Sequence, residues 1–97
     1  PLSALLAEYS RYAASGEINS TVHDQAEVLE RIEKEYVGRP DVTLDHLDGL
    51  TVSHPSWWFN VRASNTEPLL RLNAEGEDAA TMTQVRDDVL AMIRRDS

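Results

Sequence analysis

The stretch Trp57-Trp58-Phe59-Asn60-Val61-Arg62-Ala63-Ser64-Asn65-Thr66-Glu67-Pro68-Leu69-Leu70-Arg71-Leu72-Asn73-Ala74 alternates at both ends. Trp57, Phe59 and Val61 share one face of an extended chain, and Trp58, Asn60 and Arg62 share the other. After Pro68, Leu70 and Leu72 turn inward while Arg71 and Asn73 turn outward. A period of two with one apolar face marks a half-buried strand. Turn formers separate the two runs, so they read as adjacent antiparallel strands joined by a loop. A sheet with one apolar face needs a second layer, and helices are the usual cover.

The flanking sequence supplies that cover. Val28, Leu29, Ile32 and Tyr36 recur at helical spacing behind the pair Asp24 and Glu27, which reads as a capping box. A helix over about 25–36 follows, ended by Gly38 and Pro40. Met82, Val85, Val89, Met92 and Ile93 define a second helix, with Asp78 as its cap and Arg94 and Arg95 at its C-terminus, where the helix dipole favours cations. Glu17 to Val22 alternates as a strand. Val42 to Leu44 and Leu50 to Val52 read as short strands around the turn Asp48-Gly49. Leu2, Leu5, Leu6, Tyr9 and Ala13 have helical spacing, with Ala14-Ser15-Gly16 as the stop. The expected fold is α+β, a two-layer sandwich whose mostly antiparallel sheet is covered by helices on one face.

The chain has 97 residues, 41% of them apolar, which fits one domain. Its formal net charge of -8 argues against nucleic acid and against an anionic membrane surface. No apolar run is long enough to span a membrane. Absence of cysteine removes disulfides, thiolate catalysis and cysteine-based zinc sites, and fits a cytoplasmic location. The chain starts at Pro1 without an initiator Met and carries no secretory signal, so it reads as an excised piece of a longer protein. Of nine basic residues, only Lys34 is a lysine. Arginine is the better fork for a fixed phosphate or carboxylate.

The loop concentrates the chemistry. Arg62 brings a planar guanidinium, Ser64 and Thr66 hydroxyls, Asn65 an amide, and the loop backbone N–H groups a potential nest. A phosphate wants this sort of converging donor set. Pro68 biases Glu67 toward extended dihedrals and stiffens the loop exit. Arg71 lies on the non-core face of the next strand, able to reach the same anion. The same residue types also make an ordinary turn, with Arg62 paired to Glu67 or Glu75.

The run WWFNVRASNTEPLLRLNAE, Trp57 to Glu75, resembles the C-terminal signature of the α-D-phosphohexomutases. GEINSTVHD, Gly16 to Asp24, resembles the opening of that domain in the phosphomannomutases of the family, and Asp48-Gly49 its short acidic turn. Asn65 with Glu67-Pro68 resembles the phosphomannomutases and the dual phosphomannomutase/phosphoglucomutases; phosphoglucosamine mutases usually carry glycine in place of Asn65. The resemblance implies that residues 1–15 are a linker helix from a preceding domain and 16–97 the phosphate-binding domain. It implies Arg62, Ser64, Asn65 and Thr66 as contacts to the non-reacting phosphate of a mannose or glucose phosphate and its bisphosphate intermediate, with Arg71 and Glu67 in support. It implies no catalytic residue in this domain. The phosphoserine loop and the Mg2+ site of the full-length enzyme, which interconverts hexose 1-phosphate and hexose 6-phosphate, would lie in other domains. The isolated domain is expected to be inactive. A phosphoglucosamine mutase fragment and a non-enzymatic phospho-ligand or protein-interaction module are the alternatives.

Other clusters carry less. His23-Asp24 and the group Asp45, His46 and Asp48 match no zinc or calcium spacing, so no metal site is expected. Asp45 with Asp48 reads as turn acids rather than a catalytic carboxylate pair. His54 beside Pro55 reads as a surface loop residue. Trp57 and Trp58 face opposite ways on one strand, which suits a core position and a covered outer face better than a base-stacking platform. Glu27, Glu30, Glu33 and Glu35 read as a solvated helix face.

Overall fold

A computed structural model describes residues 13–95. In chain order these form β1 (Ala13–Ala14), β2 (Ile18–Thr21), α1 (Gln25–Tyr36), β3 (Thr43–Asp45), β4 (Leu50–His54), β5 (Trp57–Ala63), β6 (Leu69–Gly76) and α2 (Ala79–Ile93). The strands make one antiparallel sheet in the order β1-β6-β5-β4-β3, and β2 also pairs with β6. Both helices pack against one face, giving the expected α+β two-layer sandwich.

The alternation in the sequence becomes the two faces of the sheet. Phe59 and Val61 of β5, Leu70, Leu72 and Ala74 of β6, and Leu50 and Val52 of β4 are buried. Val28, Ile32 and Tyr36 of α1 and Val85, Val89, Met92 and Ile93 of α2 close the core over them. Removing this apolar area from water is the main favourable term for the fold. Tyr36 meets Trp57 and Phe59 edge-on, with centroids 5.7 and 5.1 Å apart. Trp57 also stacks on His54 at 5.0 Å. His54 ends β4, and its Nδ1 accepts from the Ser56 N–H at 3.1 Å, so this histidine is built into the turn rather than loose at the surface.

The helix signals act as read. Asp24 Oδ1 accepts from the Glu27 N–H at 3.0 Å, and Asp78 Oδ1 from the Thr81 N–H at 2.7 Å. The Glu27 carboxylate pairs with Arg31, so only the Asp24 half of the capping box is seen. Glu30 pairs with Lys34 and Glu35 with Arg39, and Glu33 Oε1 lies 2.7 Å from His46 Nε2, so the acidic face of α1 is laced with partners. Gly76 permits the tight entry into α2: a Cβ there would lie 2.5 Å from the Met82 backbone nitrogen.

The N-terminal expectation needs correction at its end. Ala13, placed by spacing on a helix, and Ala14, placed at its stop, are extended and pair with Gly76 and Glu75. The free edge of β6 offers backbone partners that an isolated alanine pair cannot refuse. Ser15 continues the attachment, with its N–H donating to the Ala74 carbonyl at 2.8 Å and its Oγ accepting from the Ala74 N–H at 2.9 Å. The helix expected over 2–12 lies outside the described residues.

Candidate functional site

The β5–β6 register sets Arg62 directly opposite Arg71. Opposed residues on neighbouring strands point to the same side. Here that side is the one that α1 and α2 do not cover. Asn19 of β2 is the other neighbour of Arg71. Like charges placed opposite each other cost stability unless something between them compensates. Arg62 has one ionic partner among the described residues, Asp48, with Nη1 to Oδ2 at 3.5 Å. Neither Glu67 nor Glu75 takes that role. Arg71 makes no side-chain hydrogen bond or ion pair with the described residues.

The loop rises beside this pair. Ser64 N–H donates to the Leu69 carbonyl at 3.1 Å and closes the hairpin. Ser64 Oγ accepts from the N–H groups of Thr66 and Glu67, each at 3.3 Å, and lies 3.5 Å from Thr66 Oγ1. The Ser64 hydroxyl therefore organises the loop as well as facing its concave side. Asn65 is exposed and its amide has no partner among the described residues. Glu67 contributes through its backbone, whose carbonyl accepts from Leu69 N–H at 2.8 Å.

One contributor was not among the expected site residues. Gln25, the first residue of α1, directs its Nε2 at the carbonyls of Ser64 (3.0 Å), Glu67 (3.2 Å) and Leu69 (2.8 Å). A single carboxamide thus ties both ends of the loop to the helix start. Val22 N–H adds a bond to the Pro68 carbonyl at 2.8 Å. Gln25 gave no local signal beyond its place after the cap, because its partners lie about forty residues on.

Arg62, Ser64, Asn65, Thr66 and Arg71 line one concavity of about 530 Å³, with Asp48 and Gly49 on its rim. The site residues singled out in the sequence are thus brought together, except that Glu67 adds only backbone. A neighbouring concavity of about 460 Å³ runs along the same face past Asn60 to Trp58 and shares Arg62 and Asp48. The arrangement offers cations, hydroxyls and an amide to an anion, and no nucleophile activated by a base. Among the described residues no three His, Cys, Asp or Glu side chains come together to hold a metal. None of their helices is long and apolar enough to cross a membrane.

Comparisons with known proteins agree on one family. The model for "Phosphoglucomutase/phosphomannomutase, C-terminal domain" matches residues 17–92. A phosphomannomutase of Methanocaldococcus jannaschii is 43% identical over 97% of this chain, and one of Escherichia coli is 38% identical over 96%. A phosphoglucomutase/phosphomannomutase family protein of Burkholderia thailandensis shares the fold, with a TM-score of 0.65 and 23% identity over 96% of the chain. The chain spans about a fifth of these proteins: 20%, 21% and 19% of their lengths. With the family model matched from β2 into α2, the chain belongs to the C-terminal domain family of the phosphoglucomutases and phosphomannomutases.

Proposed function

We propose that this chain grips the non-reacting phosphate of a mannose or glucose phosphate while a longer enzyme interconverts the hexose 1-phosphate and hexose 6-phosphate. The observation that carries the reading is the opposed pair Arg62 and Arg71 under a loop of donors. A phosphate between them would turn a like-charge cost into two charge-assisted contacts. Ser64, Asn65 and Thr66 would complete its hydrogen-bonding. Such a site positions a substrate and neutralises charge without doing covalent chemistry. The reacting group, and the magnesium ion implied by the family, would come from elsewhere in the longer protein. The described residues of this chain bring together no cluster that fits a metal.

The test is kcat/KM of full-length Arg62→Ala with mannose 1-phosphate and glucose 1-phosphate. The expected loss is about 2–4 kcal/mol of transition-state stabilisation, by analogy with other deleted charged contacts. Arg62→Lys should recover part of it, since charge returns without the fork. Wild-type efficiency in the alanine variant would remove this loop from substrate binding. The 97-residue chain alone should show no mutase activity.

A further inference from the structure

The turn between β3 and β4 is built against the arginine it faces. Gly49 has φ +71°, and a Cβ there would fall 2.5 Å from the Val61 carbonyl oxygen and 2.7 Å from Cγ of Arg62. The turn backbone therefore lies flush on the stem of Arg62. Asn60, two residues before Arg62 on the same face, fixes the turn from below. Its Nδ2 donates to the Asp48 carbonyl at 2.7 Å and to Thr51 Oγ1 at 2.9 Å. The backbone of Asp48 is thus anchored, while its carboxylate stands out at the rim of the loop concavity, 75% exposed. It reaches Arg62 Nη1 through one contact of 3.5 Å.

We propose that Asp48 is a resident counter-ion, competing with the incoming phosphate for Arg62 and hastening its release. The proposal rests on the phosphate reading given above. Its logic is a division of labour along one side chain. The stem of Arg62 is aligned by Gly49, so the guanidinium does not need Asp48 to hold its direction. The carboxylate instead offsets the repulsion between Arg62 and Arg71 in the empty site. A long, single, well-solvated ion pair is weak and readily exchanged. A phosphate can offer the guanidinium a shorter, bidentate contact and prevails. Once seated, the phosphate shares Arg62 with a second anion at close range, and that repulsion weakens its hold. A weakly competing anion such as chloride gains too little to displace the carboxylate, so Asp48 also screens the site against it.

The test compares wild type, Asp48→Asn and Arg62→Ala in the full 97-residue chain, titrated with inorganic phosphate. Binding is read from the Arg62 and Arg71 side-chain N–H resonances. Asparagine keeps the size of the side chain and the anchored turn while removing the charge. Asp48→Asn should bind phosphate about three- to five-fold tighter at low salt, the order expected for a unit charge about 5 Å away in a water-like medium. The gain should shrink as salt is raised. A slower phosphate off-rate should accompany it. Glu75→Gln, the same charge change farther along the face, should give a smaller gain. Equal or weaker binding by Asp48→Asn, with wild type still responding at Arg62, would overturn the counter-ion role and leave the phosphate site standing. Wild-type binding that Arg62→Ala leaves unchanged, or no binding at all, would remove the site and the counter-ion together.

Discussion

Gln25 carries a large structural duty for one uncharged side chain. Its Nε2 serves three carbonyls that the β-ladder leaves to the loop. Gln25→Ala should cost about 1–3 kcal/mol in urea unfolding, because the part-buried Ser64 carbonyl loses its partner and the Glu67 and Leu69 carbonyls each lose one of two. Phosphate affinity should fall as well, since Ser64 and Thr66 lose their fixed spacing. Gln25→Glu should be worse on both counts, as a carboxylate faces acceptors. Unchanged affinity in both variants would mean that the loop holds its shape without the helix. Tyr36 makes a separate residue-scale case. It is 2% exposed, and burial pushes its phenol up to about 12, against the opposing pull of Arg39, whose guanidinium lies 4.3 Å from the ring centroid. Below the ordinary tyrosine value, near pH 10, both folded and unfolded chains keep the proton and stability is unaffected. Above it the unfolded chain releases the proton first, so stability should fall between about pH 10 and pH 12. Urea titrations across that range should show the decline in wild type and a smaller one in Tyr36→Phe.

At the scale of elements, the fit of α2 against the sheet hangs on Gly76. A methyl group there would meet backbone, with the Met82 nitrogen at 2.5 Å and its Cα at 2.9 Å, rather than a side chain able to turn away. Gly76→Ala should therefore lower stability by about 1–3 kcal/mol, the range of overpacked sites. A variant as stable as wild type would show that the helix start can slide at no cost. The same scale explains what could be read from sequence. The β5–β6 pair was legible because alternation on both flanks fixes the inward face, and that face fixes Arg62 and Arg71 on the outer one. The two helices were legible from their Asp24 and Asp78 caps and apolar spacing. β1 was not, because two alanines have no preference strong enough to resist the edge they meet. Asp48 was visible as a turn acid, but its approach to Arg62 depends on a hairpin folding over β5, a contact that spacing alone does not encode.

At the scale of the whole molecule, the face of the sheet that α1 and α2 leave uncovered sets the next expectation. Among the described residues helices protect only one side, and Trp58 stands half-buried on the other, in the concavity it shares with Ala14, Thr51, Asn73 and Glu75. An indole on a solvent-facing sheet is apolar surface that a neighbouring part of a larger protein would gain by covering. The related proteins are about five times the length of this chain, so on the reading proposed above there is polypeptide to cover it. Covering would also deepen the proposed phosphate site, which shares Arg62 and Asp48 with the Trp58 concavity. In the open 97-residue chain, ordering loop and ligand offsets most of what the charged contacts contribute. Phosphosugar binding should therefore be near millimolar, about -4 kcal/mol. The indole N–H resonance of Trp58, assigned by Trp58→Phe, should broaden readily with a soluble paramagnetic agent in the 97-residue chain. In the full-length protein it should be largely protected, while the half-buried Trp57 changes little. Equal broadening of Trp58 in both would mean that this face stays open to water. The tighter binding expected of the proposed longer enzyme would then have to come from contacts made directly to the ligand.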